Sequence, residues 1–170
     1  MAIKREAILQ RHIKNFCRDA ITARHEFFAF DRAKAAGKFT HAAEKARGVR
    51  AGTPDTVLLM AGIRPIFCEL KAPGKKASEI QGDIGQRLIF VDCYWSVKDS
   101  VWGYWSWLRD LCIPMRPDAE QVALLHDAQV AATVGAAEAK AGKPPKATKR
   151  KVEPRYVATA AWSKRNAGLI

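Results

Sequence analysis

Three side chains near the middle of the chain have the right types and spacing for chemistry: Asp55, Glu69 and Lys71. Glu69 and Lys71 are two residues apart, so on a strand both project from one face. Asp55 opens the preceding strand across a tight turn, and a hairpin of this kind brings the two carboxylates close together. Two adjacent carboxylates cannot both ionise cheaply, and a divalent cation removes that penalty. Oxygen donors select a hard ion such as Mg²⁺. Such an ion acidifies water into a nucleophile and, with a nearby ammonium, stabilises charge on a phosphate. The set fits hydrolysis of a phosphodiester. The competing reading is a surface ion pair at a strand end, worth under about 1 kcal/mol.

The elements that must position these residues are legible around them. Ala51-Gly-Thr-Pro-Asp55 is a turn into the apolar run Thr56 to Met60, and Ala61-Gly62 marks a tight turn to a return strand from Ile63 to Lys71. Pro65 lacks an amide donor, so pairing there should begin late or lie at an edge. Ser78-Glu-Ile-Gln81 is a capping-box pattern opening a helix to about Val91, with Ile80, Ile84, Leu88 and Val91 as its expected buried stripe and Gly82 and Gly85 as weak points.

Upstream, Leu9, Ile13, Phe16, Cys17 and Ala20 recur with helical period, which predicts a helix from about Ala2 to Ala23. Glu6 lies about 20° from that stripe. It is either a first-turn charge favoured by the helix dipole or a carboxylate serving a site. His25 to Phe30 reads as a short strand, whereas 31–50 is polar and basic without a clear pattern. Downstream, Tyr94 to Lys98 is a strand, and Ser100 caps a helix to about Cys112 with Val101, Trp105, Leu108 and Cys112 on one face. Ile113-Pro-Met-Arg116 leaves it in extended form. The expected order is helix, three strands, helix, strand, helix: an α/β core with a sheet flanked by helices.

The ordered string of Gly52-Thr-Pro-Asp55, the hairpin, Phe67-Cys-Glu69-Leu-Lys71 and Ser78-Glu-Ile-Gln81 resembles the PD-(D/E)XK nucleases, and within them the VRR-NUC branch. The resemblance spans about residues 3–116. It implies a restriction-endonuclease-like core, α-β-β-β-α-β, with a mixed central sheet, and a Mg²⁺-dependent DNA endonuclease for which Mn²⁺ can substitute. Asp55 and Glu69 would hold the metal together with the Leu70 carbonyl, and Lys71 would orient or deprotonate the attacking water. Glu6 matches the family's first-helix acidic residue, which favours a role at the metal. Gln81 matches a glutamine near the site, although it also fits as the capping partner of Ser78. Asp92-Cys93 departs from the glycine turn common in relatives. For small stand-alone members the resemblance implies structure-selective cutting of branched or four-way (Holliday) junctions by a homodimer. The alternatives are a basic nucleic-acid-binding accessory protein without activity, or a restriction or exonuclease-type enzyme.

Charge distribution agrees with a polyanionic partner. The chain has 170 residues and a formal net charge of +12. Residues 1–55 carry 12 basic and 6 acidic side chains, 56–135 carry 8 and 9, and 136–170 carry 9 and 2. A near-neutral centre between basic ends suits DNA binding. Arg47, Arg50, Lys75 and Lys76 flank the hairpin and are candidate phosphate contacts. The domain division expected is 1–116 for the nuclease-like unit, 117–140 for an alanine-rich helical extension, 141–155 for a basic flexible linker, and 156–170 for a tail or short docking helix.

Other features narrow the class. Hydrophobic residues at 48% exclude wholesale disorder. The longest uncharged run, 128–137, is far below the ~20 residues of a membrane span, and the charged Met1-Ala-Ile-Lys-Arg-Glu6 start is no signal peptide. A cytoplasmic, reducing setting is expected. Cys17, Cys68, Cys93 and Cys112 match no zinc or disulfide pattern and read as buried or indifferent thiols. The four histidines form no ligand set. The tryptophans read as core, with Trp102 and Trp107 as candidates for an outward-facing surface.

Overall fold

Residues 5–30 and 52–140 are described by the computed structural model. They form α1 (Arg5–Ala20), β1 (His25–Ala29), β2 (Thr56–Met60), β3 (Ile63–Leu70), α2 (Glu79–Phe90), β4 (Tyr94–Lys98), α3 (Val101–Asp110) and α4 (Ala119–Lys140). The strands make one mixed sheet in the order β1-β2-β3-β4, antiparallel except for the β3–β4 pair. A parallel pair needs a crossover, and α2 supplies it.

Alternation along β3 sets the layers. Ile66, Cys68 and Leu70 are buried in one core with Leu9, Ile13, Phe16, Cys17 and Ala20 of α1 and Val101, Tyr104, Trp105 and Leu108 of α3. Phe67 and Glu69 project from the opposite face, towards α2. The α1 stripe is the one its period predicts. The helix stops at Ala20, earlier than expected, because Ile21 bridges Met115 and the Thr22 amide donates to the Pro114 carbonyl at 3.1 Å. The extended Ile113-Pro-Met-Arg116 segment thus ties the end of α3 to the end of α1.

Pro65 sits inside β3, an interior strand. The β2–β3 register shifts between Leu58 and Met60, and pairing with β4 begins only at Ile66. The missing N–H therefore falls where the ladders are interrupted, as the sequence requires.

The expected buried stripe of α2 is not the one observed. Ile80 and Val91 are exposed, Ile84 and Leu88 are half-buried, and the buried position is Gly85. A Cβ at Gly85 would lie 2.4 Å from the Trp95 ring. The helix approaches the sheet by its glycine face because the indole fills the space a side chain would need. The glycines that weaken the helix in isolation are what allow it to dock.

In α3, Val101, Trp105 and Leu108 are buried as expected, but the helix ends at Asp110 and Cys112 is exposed in a left-handed turn at φ 57°. Its first turn is closed by two elements. Ser100 Oγ accepts from the Gly103 amide at 3.1 Å, and the Asp127 carboxylate of α4 accepts from the Val101 and Trp102 amides at 2.7 and 3.0 Å. Ala119 and Ala123 of α4 join the same core. The helix expected as an extension over 117–140 thus packs against the elements that precede residue 116.

The remaining expectations resolve residue by residue. All four cysteines are free: Cys17 and Cys68 are buried, Cys93 is half-buried and Cys112 is exposed. Burial pushes the Cys17 thiol up to about 12 and raises Cys68 as well, so neither is reactive at neutral pH. Asp92 takes the left-handed turn conformation at φ 66° and pairs with Arg64 at 2.8 Å. Trp105 is buried, Trp102 is exposed, and Trp107 is half-buried with the Lys98 ammonium 5.3 Å from its ring centre. No helix among the described residues is long and apolar enough to cross a membrane.

Candidate active site

The hairpin register brings the predicted carboxylates together. Thr56 pairs with Cys68 in antiparallel register, so one step further Asp55 lies across from Glu69. Both belong to the face of the sheet that α2 covers, and so does Lys71, two residues beyond Glu69.

Glu69 is 2% exposed. A buried carboxylate is costly unless charge and hydrogen bonds compensate it. Here Lys71 Nζ donates to Glu69 Oε1 at 2.8 Å, and Gln81 Nε2 donates to the same oxygen. This depth sets the pair apart from a solvated surface bridge.

Gln81 makes two sets of contacts. Its Oε1 accepts from the Ser78 amide at 2.8 Å, and its own amide donates to Ser78 Oγ at 3.4 Å, which closes the capping box. The carboxamide nitrogen left over by the cap is the one that reaches Glu69. One residue both starts α2 and ties it to the sheet.

Asp55 is held from three directions. Its Oδ2 accepts from the Leu70 amide at 2.7 Å, and its main-chain carbonyl accepts from the Phe30 amide at 2.7 Å and from Gln10 Nε2 at 3.0 Å. Upstream, Gly52 has φ 87° and lies so close to α2 that a Cβ would meet Ile80 and Ile84 at 2.8–2.9 Å. The Gly-Thr-Pro-Asp turn is therefore packed directly onto the helix that carries Gln81.

The other candidate residues divide. Lys75 and Lys76 are exposed on the loop that follows β3. Arg47 and Arg50 lie outside the described residues, as do the linker and tail beyond Lys140. Glu6 is exposed in the first turn of α1, one turn before Gln10. Residues four apart share a helix face, so Glu6 lies on the same edge of α1 as the glutamine that reaches Asp55. Among the described residues no three His, Cys, Asp or Glu side chains group closely enough to hold a metal. The donors present, two carboxylates beside the Leu70 main chain, are all oxygen and suit a hard cation such as Mg²⁺ or Mn²⁺.

Sequence reasoning missed Gln10, although its i+4 relation to Glu6 was available as a signal. It also did not anticipate that His12 and His126 would meet, with their Nδ1 atoms 3.1 Å apart where α4 packs on α1. The chain matches no family model, no curated protein and no solved structure.

Proposed function

We propose that this protein is a Mg²⁺-dependent DNA endonuclease of the restriction-endonuclease-like, VRR-NUC type, which hydrolyses phosphodiester bonds, selectively in branched DNA. The observation that carries the reading is the buried Glu69 carboxylate, held by Lys71 and Gln81 on the sheet face shared with Asp55. An α/β core of this kind hosts many activities, so the argument rests on the site and not on the fold.

In this reading Asp55, Glu69 and the Leu70 carbonyl would hold the metal, with Glu6, exposed on the same side of α1 as Gln10, as a further acidic residue. The ion, Mg²⁺ or Mn²⁺, supplies a hard Lewis acid that acidifies water and neutralises phosphate charge. Lys71 Nζ donates a hydrogen bond to Glu69 Oε1 at rest, so its ammonium is fixed on one side. Its two other N–H bonds are available to orient water or to meet the non-bridging phosphate oxygens. Gln81 donates to the same Oε1 and thereby fixes the carboxylate plane. Lys75 and Lys76, with Arg47 and Arg50, meet flanking phosphates and set the path of the strand. Among the described residues each chain has one such site, so cutting both strands of a junction calls for a homodimer.

The test is cleavage of labelled four-way junction, flap, linear duplex and single-stranded DNA with Mg²⁺, Mn²⁺ or EDTA, for wild type and Asp55→Ala. Cutting that needs both the metal and Asp55 is the expected result. Tight binding with no cutting of any substrate would replace this reading with that of a basic accessory protein.

A further inference from the structure

We infer that Gln10 is a positioning residue for the metal ligand Asp55, an inference that rests on the reading just proposed and deepens it. Asp55 stands at the junction between the Gly52–Pro54 turn and β2, where the chain has just left the segment 31–51. A ligand at such a junction is only as well placed as its main chain. The Phe30 amide fixes the Asp55 carbonyl from the neighbouring strand at 2.7 Å, which continues the β1–β2 ladder by one bond. Gln10 Nε2 adds a second bond at 3.0 Å from outside the sheet, across 45 residues of sequence.

The second bond does what the ladder cannot. A strand-end peptide with one partner still rotates about that bond, and fraying begins at such ends. A second donor on the same carbonyl fixes the peptide plane and with it the direction of the Asp55 side chain. That side chain is anchored through Oδ2 to the Leu70 amide, which leaves Oδ1 without a hydrogen bond among the described residues. Two donors, from α1 and β1, thus fix the Asp55 main-chain carbonyl, and one from β3 fixes the carboxylate so that a single oxygen is presented. Groups that orient a metal ligand in this way typically change affinity 10–100-fold when removed.

The position of Gln10 on α1 links this to packing. Leu9 and Ile13 beside it are buried, so the helix is held rigidly against the sheet, and the half-buried Gln10 side chain extends from a fixed base. Gln10→Met keeps the length and packing of the side chain and removes only the donor.

The experiment is calorimetric titration of Mn²⁺ alone into full-length wild type, Gln10→Met and Asp55→Ala, with the melting temperature of each recorded beside it. The inference expects about a tenfold rise in the Mn²⁺ Kd for Gln10→Met at unchanged melting temperature, and loss of binding for Asp55→Ala. Wild-type affinity in Gln10→Met, with Asp55→Ala still losing the metal, overturns the inference and leaves the metal site standing. No Mn²⁺ binding by wild type overturns the metal reading and the inference with it. If Gln10→Met does not fold, Gln10→Asn, one methylene too short to reach the carbonyl, is measured against the same tenfold expectation.

Discussion

The Gln81 carboxamide spans two structures at once: its oxygen accepts from the Ser78 amide at the start of α2, and its nitrogen donates to the buried Glu69 carboxylate of β3. The helix cap and the candidate active site therefore share a side chain. Any shift in the start of α2 is transmitted to the carboxylate, and the reverse also holds.

This coupling separates two substitutions that look alike in sequence. Ser78→Ala removes the capping hydroxyl and should cost about 1 kcal/mol of stability. It leaves Gln81 able to reach Glu69, so DNA cleavage should fall only a few-fold. Gln81→Leu loses part of the cap and the bond to Glu69, which remains buried with one donor fewer. Cleavage should then drop by more than about tenfold. Thermal melts and single-turnover cleavage on both variants distinguish the cases; equal loss of activity would assign Gln81 to the cap alone.

Glu69→Ala should abolish Mg²⁺-dependent cleavage while leaving low-salt DNA binding nearly intact, because phosphate contacts dominate that binding. Gel-shift and cleavage assays on one substrate measure both. Retained cutting would sink the site assignment.

Gly52→Ala meets two obstacles. The backbone at φ 87° is unfavourable for any Cβ, and the new methyl would meet Ile80 and Ile84 at 2.8–2.9 Å. The expected destabilisation exceeds about 1 kcal/mol. Because the same turn carries Pro54 and Asp55, the Mn²⁺ Kd should rise together with the fall in melting temperature. A loss of stability with metal binding unchanged would show that Asp55 is positioned independently of the turn.

The histidine contact between α1 and α4 gives a pH dependence of known sign. Burial, followed by the neighbouring His126 and Arg11, lowers the pKa of His12 below its ordinary 6.5, although Asp127 acts in the opposite direction. Asp19 approaches the far side of His126, at 3.7 Å from Nε2. With Nδ1 facing Nδ1, one ring must accept, so the contact fails when both are protonated. The unfolded chain takes up the His12 proton at a higher pH than the folded protein does. Stability should therefore decline as the pH falls from about 6.5 towards the lowered folded value, and level off below it. Melts between about pH 5 and 8 should show this decline in wild type and a flatter profile in His12→Gln. Identical profiles would remove His12 as the cause.

Removal of residues 141–170 takes away much of the basic C-terminal charge. DNA binding should weaken, and its salt dependence should flatten as fewer phosphates are neutralised. Binding measured across a salt series gives the slope directly. An unchanged slope would mean that the segment does not touch DNA.

What the sequence determined by itself was local and periodic. The α1 stripe, the β2–β3 hairpin, the Ser78 cap and the co-facial Glu69 and Lys71 all follow from spacings of 3.6 and 2 residues or from turn chemistry, and each is found where those rules put it. Tertiary structure decided everything that depended on a partner distant in sequence. The buried face of α2 was misread because periodicity ranks apolar side chains, whereas the Trp95 ring left room only for Gly85. Gln10 had only its i+4 spacing from Glu6 to mark it, and nothing local pointed to its partner, a main-chain carbonyl 45 residues away. The same holds for Asp127 at the start of α3 and for His12 against His126. Short-range order is written in the spacing of residue types, but a long-range hydrogen bond needs only a donor at the right point in space, which many sequences would supply and none announces.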